Sequence, residues 1–133
     1  MCLAVFCLTI QAGQVNDATA VKIIVTESAG EPYLVQVAVG NVIRIRGSAQ
    51  GFYGLTHSSM LNKQPRSAFV KAARAWEESK TNIVVCADHF ENIKAFGTPK
   101  WARGVKPVAT LGDLTFYNLK YATSKKTAPV ASH

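Results

Sequence analysis

The sequence predicts a mostly-β fold class with one or two helices. Five short strands would close into a small barrel or sandwich, capped by a helix and followed by a short C-terminal extension. Three observations predict this. Val39-Gly40-Asn41-Val42-Ile43-Arg44-Ile45-Arg46-Gly47 opens on a glycine-asparagine turn and then alternates β-branched residues with arginines at period two. Ala20 to Thr26 alternates likewise, with Val21, Ile23 and Val25 on one face and Lys22, Ile24 and Thr26 on the other. From Pro65 to Lys80 the period lengthens to that of a helix, with Phe69, Ala72, Ala73 and Trp76 on one side and Lys71, Arg74 and Glu78 opposite.

Taken in order, the apolar start from Leu3 to Gln11 is the first expected strand. It lacks the basic leader and clean small-residue cleavage site of a signal peptide, and it is too short to span a bilayer. A turn-rich loop from Ala12 to Asp17 leads into the second strand, Ala20 to Thr26. Ser28-Ala29-Gly30-Glu31-Pro32 is the hairpin connection to a third, Tyr33 to Val37. The central stretch is the fourth strand, and Phe52 to Leu61 the fifth, beyond a loop from Gly47 to Gly51. After the helix, Asn82 to Ala87 is β-like, Asp88 to Val105 loop-like, and Val108 to Tyr121 strand or helix without a deciding signal. The division expected is 1–81 for the barrel and its helix, 82–122 for an extension packed on it, and 123–133 for a disordered polar tail.

The chain has 133 residues, enough for one domain with a real core, and 48% hydrophobic against 17% charged residues excludes a disordered polymer. Its formal charge of +7 is unevenly spread. Residues 41–76 hold Arg44, Arg46, Lys63, Arg66, Lys71 and Arg74 with no acid, and from residue 94 onward Asp113 is the sole acid among seven bases. Such a surface suits a polyanion, nucleic acid before membrane headgroups, or serves solubility alone. Cys2, Cys7 and Cys86 are too sparse and odd in number for a disulfide scaffold, so buried thiols in a reducing compartment are expected. Cys86-Ala-Asp-His89 has metal-like spacing but lacks a second ligand pair, and no metal or other cofactor is expected.

The functional signal lies on the fourth and fifth strands. Arg44 and Arg46 would share one strand face, with Phe52, Tyr53 and His57 just past the glycine loop. Guanidinium groups hold phosphates and flat rings stack on bases, which is what a single nucleic-acid strand requires. Lys63 and Arg66 extend the basic surface toward the helix, and Lys100-Trp101-Ala102-Arg103 is a second basic-aromatic cluster. Asp88, His89 and Glu91 lie close in sequence and Asp113 apart. No nucleophile motif, phosphate loop or paired-carboxylate spacing accompanies them, so no catalytic residue is expected and the chain reads as a non-enzyme.

These residues carry a resemblance. Val21-Lys22-Ile23-Ile24-Val25-Thr26-Glu27-Ser28-Ala29-Gly30, the Val39 to Arg46 stretch, Leu55-Thr56-His57-Ser58-Ser59, the helix with Phe69 and Trp76, and Val108 to Phe116 follow one another in an order that resembles an OB-fold domain of the telomere end-binding protein alpha and protection-of-telomeres family. Asn41 departs from the acid usual in that family, and Val37 to Gly40 leaves little room for the helix such folds carry between strands three and four. The resemblance implies a small five-stranded OB-fold barrel in a nuclear protein that binds single-stranded, G-rich telomeric DNA (or RNA), without enzymatic activity. The groove between the loops then takes in Gln14 to Asp17, Lys22, Tyr33 and Ser48 to Tyr53, with Arg44 and Arg46 at its edge. It also implies an alternative, an OB-fold protein-protein interaction module serving as a subunit of a telomere or telomerase complex, with no membrane partner.

Overall fold

The structure, a computed structural model, describes residues 15–120. The expected strand from Leu3 to Gln11, most of the loop after it, and the expected tail from 123 to 133 lie outside the described residues. Within them the order is α1 (Asp17–Ser28), α2 (Tyr33–Arg46), a 3-10 turn (Tyr53–Thr56), α3 (Ser58–Asn62), α4 (Arg66–Glu78), β1 (His89–Glu91), α5 (Ile93–Phe96), a second 3-10 turn (Lys100–Ala102), β2 (Ala109–Leu111) and β3 (Leu114–Tyr117). The three short strands form one open antiparallel sheet in the order β1-β3-β2. The mostly-β expectation is therefore corrected: among the described residues the elements up to Glu78 are all helices, and no five-stranded barrel of the OB type is built.

The physical reason lies in burial. The second expected strand, Ala20 to Thr26, is the body of α1, and Asn16, expected in a loop, caps that helix by accepting a hydrogen bond from Thr19 N at 2.9 Å. The expected third and fourth strands are a single helix, α2, whose Val35, Val37, Val39, Val42, Ile43 and Ile45 are all buried. A β-branched residue loses at most about 0.7 kcal/mol of helix propensity. Burying its side chain returns roughly 1.5–3 kcal/mol, so packing outweighs propensity at every one of these positions.

Gly40 and Asn41 do not make a turn. They sit inside α2, where the helix meets α4 most closely. A Cβ on Gly40 would lie 2.7 Å from Ser79 Cβ, closer than side chains approach, so the missing side chain is what lets the helices touch. Asn41 is buried and fully bonded. Its Nδ2 donates to Ser79 O and Asn82 O, both at 3.1 Å, and its Oδ1 accepts from Val84 N at 2.8 Å and Val85 N at 3.2 Å. The β-like run from Asn82 to Ala87 is thus a non-strand connection tied to α2.

The helix expected from Pro65 to Lys80 runs from Arg66 to Glu78, with Ala72, Ala75 and Trp76 buried. The undecided stretch from Val108 is a hairpin, β2 and β3, pairing Ala109 with Phe116 and Leu111 with Leu114. Residues from α1, α2, α4 and β3, among them Ile23, Val42, Trp76 and Phe116, share one apolar core, which the segment 82–120 helps to close. Cys86 is disulfide-bonded, correcting the expectation of free buried thiols. No described helix is long and apolar enough to cross a membrane.

Candidate functional site

Converting the strand to a helix separates the two arginines, since positions two apart lie on nearly opposite helix faces. Arg44 turns inward to α4. Its Nε donates to Ser79 Oγ at 2.8 Å, its Nη2 to Trp76 O at 2.6 Å, and its guanidinium carbon lies 3.6 Å from the Trp76 ring centroid. Arg46 bends over Phe52, 4.3 Å from its ring centroid, and donates to Gln50 O. Burial lowers the pKa of both. Phe52 belongs to the core and lies 6.2 Å from Phe90. Tyr53 is 63% exposed and stacked on His57, with centroids 3.7 Å apart. Lys22 and Lys63 are exposed, Tyr33 is half-buried with its hydroxyl donating to Glu78 Oε1 at 3.0 Å, and Arg66 is exposed at the start of α4. The nine residues expected to bind nucleic acid are thus distributed over α1, α2, the 52–57 turn, the end of α3 and the start of α4.

Asp88 and Asp113 do not converge either. Asp88 is buried, accepting from His89 Nδ1 at 2.9 Å, Leu119 N at 2.8 Å and Lys120 N at 3.0 Å. Asp113 sits at the other end of β3, in the β2–β3 turn, where its backbone N–H donates to Glu31 Oε1 at 2.9 Å. Trp101 packs on His89 and Tyr117, and Phe116 and Tyr117 are buried within the chain itself.

One acid is placed differently. Glu27 lies in the last turn of α1, where the helix dipole favours a base rather than an acid. Above it runs the turn from Phe52 to Thr56. Gly54 N donates to Glu27 Oε1 at 3.4 Å, and the turn presses so closely on α1 that a Cβ on Gly54 would sit 1.8 Å from Thr26 Oγ1 and 2.1 Å from Thr26 Cβ. The helix end is itself held from α2, because buried Gln36 donates through Nε2 to Ser28 O at 2.9 Å.

Burial raises the Glu27 pKa above its ordinary value. The negative charge of Glu91, on β1, pushes the same way, while hydrogen bonds from the backbone of Gly54 and Tyr53 and the charge of Arg46 oppose the rise. Glu27 is therefore a half-buried carboxyl under the Gly54 turn whose affinity for its proton is raised by burial and by the charge of Glu91 on β1. Glu91 Oε1 is oriented by Asn92 N at 2.9 Å. Trp101, 37% exposed, contacts His89, which shares the Glu91 face of β1.

The sequence alone gives Glu27 no role beyond its place in the stretch from Val21 to Gly30, and Glu91 only a place beside Asp88 and His89. The signal present was an acid closing an apolar helix, a local conflict of the sort that proteins keep at functional sites. Replacing Gly54 by alanine tests the arrangement. The turn must shift, and we expect a stability loss of about 1–3 kcal/mol. Losing a hydrogen bond that lowers the Glu27 pKa should also move any Glu27-dependent pH midpoint upward. An unchanged melting temperature and midpoint would remove Gly54 from the site.

Comparison of the chain with family models, with curated proteins and with solved structures returned no match.

Proposed function

We propose that this chain is a glycan-cleaving enzyme in which Glu27 is the general acid and Glu91 its carboxylate partner. The observation that carries the reading is Glu27 itself, a half-buried carboxyl held under the Gly54 turn, with the charge of Glu91 acting on it from β1. Two carboxyl groups in unlike surroundings are what glycoside cleavage requires, one protonated and one not. Glu27 gives its proton to the glycosidic oxygen as the bond to the anomeric carbon breaks and the leaving sugar departs as an alcohol. Water then adds to the oxocarbenium-like carbon and loses a proton to Glu91. Exchange with solvent returns the proton inventory to its start. The disulfide at Cys86 supports work in an oxidising setting, where extracellular polysaccharides are met.

The test is release of new reducing ends from a panel of β-linked polysaccharides that includes chitin, xylan, cellulose and isolated bacterial cell walls. Turnover of at least one that disappears in E27Q supports the reading. Turnover of none, or turnover that E27Q retains, overturns it.

A second reading, a nuclear single-stranded nucleic-acid-binding protein, is favoured by one observation: the exposed Tyr53–His57 stack on a chain of charge +7. It predicts binding whose logarithm falls with log salt at roughly 0.7 per neutralised phosphate, and a loss on the order of 1–3 kcal/mol for Tyr53→Ala. Anisotropy titration of a labelled oligonucleotide at two salt concentrations decides it.

A further inference from the structure

Two concavities adjoin one another along α4. The larger, about 670 Å³, is lined by Tyr33, Arg66, Ser67, Val70, Lys71 and Arg74. The other, about 460 Å³, shares Ser67 and Lys71 and continues over Ala29, Gly30 and Gln64. Glu27 lines neither, but Ala29 and Gly30, just beyond it at the end of α1, line the second.

The charge of this groove is unbalanced. Arg66 and Arg74 stand on one helix at a separation of about 12 Å along its axis, and neither makes a salt bridge among the described residues. Lys71 donates to Glu31 O at 3.0 Å, which uses one of its three N–H bonds. The facing acid, Glu78, accepts from Tyr33 Oη at 3.0 Å and from Asn82 Nδ2 at 2.8 Å. Three cations therefore line a groove whose lining includes no carboxylate, with Glu31 and Glu78 hydrogen-bonded to its edge residues. Val70, 49% exposed, and the half-buried Tyr33 ring supply its apolar surface.

We propose that this groove holds the acidic groups of an anionic polysaccharide, so that the substrate class is an acidic rather than a neutral glycan. The proposal rests on the reading of Glu27 as a glycan-cleaving acid. Guanidinium groups grip carboxylate and phosphate oxygens in a planar, two-pronged fashion. A polymer with acidic substituents spaced along an otherwise neutral backbone meets cations set two helical turns apart, with an apolar surface between them for the sugar body. A nucleic-acid strand fits less well, because it needs successive free rings for stacking. Tyr33 is the groove's one ring, and its hydroxyl is tied to Glu78.

The experiment uses full-length E27Q protein, which binds without turnover, and measures its affinity for carboxymethylcellulose, for hydroxyethylcellulose of matched length, and for an oligodeoxythymidine of matched charge. We expect roughly tenfold tighter binding of the acidic than of the neutral glycan at low salt, a preference that shrinks as salt rises. The preference should vanish when R66Q and R74Q are added together and persist when R66K and R74K are added instead. A circular-dichroism melt confirms that each variant folds. Equal binding of the two glycans, a preference that survives R66Q/R74Q, or tighter binding of the oligonucleotide would each overturn the proposal. The two readings fail separately. Wild-type turnover that E27Q retains sinks the role of Glu27, whereas turnover lost in E27Q together with indifference to glycan charge sinks the groove alone.

Discussion

Glu27→Gln is expected to reduce glycan cleavage by about 10²–10⁴-fold, the usual share of a positioned general acid. Glutamine keeps the shape of the side chain and an oxygen for Gly54 N, but has no proton to give. The same substitution should raise stability at neutral pH. Burial lifts the folded pKa of Glu27 above its ordinary value of 4.5. Between the two values the folded state binds more protons than the unfolded chain, so stability falls as pH rises through that window. The penalty is complete above the folded pKa and absent below the unfolded one. The melting temperature of E27Q should therefore exceed that of the wild type at about pH 7, and the gap should close as pH falls below 4.5. Wild-type activity should decline as pH rises through the folded pKa, where the acid loses its proton. A melting offset that does not depend on pH would mean that the carboxyl is not held protonated by its surroundings, and the catalytic reading would lose its physical basis.

Asn41→Ala carries the largest expected effect on stability. The side chain bonds four backbone groups, Ser79 O, Asn82 O, Val84 N and Val85 N, at a position 1% exposed. Removing it leaves those groups to find water inside a packed junction. At about 1–3 kcal/mol per orphaned group, partly offset by local relaxation, the loss should reach about 3–5 kcal/mol. That is a large fraction of the ~5–15 kcal/mol that holds a domain folded. Urea denaturation should show a lower midpoint with an unchanged slope. Asn41→Asp should do no better, because a carboxylate cannot donate to the two carbonyls that Nδ2 now serves. A loss under about 1 kcal/mol would mean that solvent reaches this junction and that α2 is not tied to the 79–85 connection as described.

Legibility followed solvent exposure. Helix α4 was visible because one side meets water, so apolar and polar residues recur with the helical period between Pro65 and Lys80. Helix α2 is buried on nearly every side, and that removes the periodic signal. Apolar residues all round look the same in a strand as in a helix, and the alternation of Ile43, Arg44, Ile45 and Arg46 imitated a strand by coincidence. What distinguished the two was length, since fourteen residues run from Tyr33 to Arg46 without a break, longer than an ordinary strand. Gly40-Asn41 disguised this by resembling a turn.

The sequence by itself determined the excess of positive charge, the amphipathic helix with its basic face, and enough apolar residues for a single core. Only the tertiary structure decided which acid matters. Glu27 and Glu91 are far apart in the chain, and neither carries a local motif. What distinguishes Glu27 is its burial under the Gly54 turn and the charge of Glu91 acting on it from β1. A carboxyl's affinity for its proton depends on the water removed and the charges brought near it, and both exist only once the chain has folded.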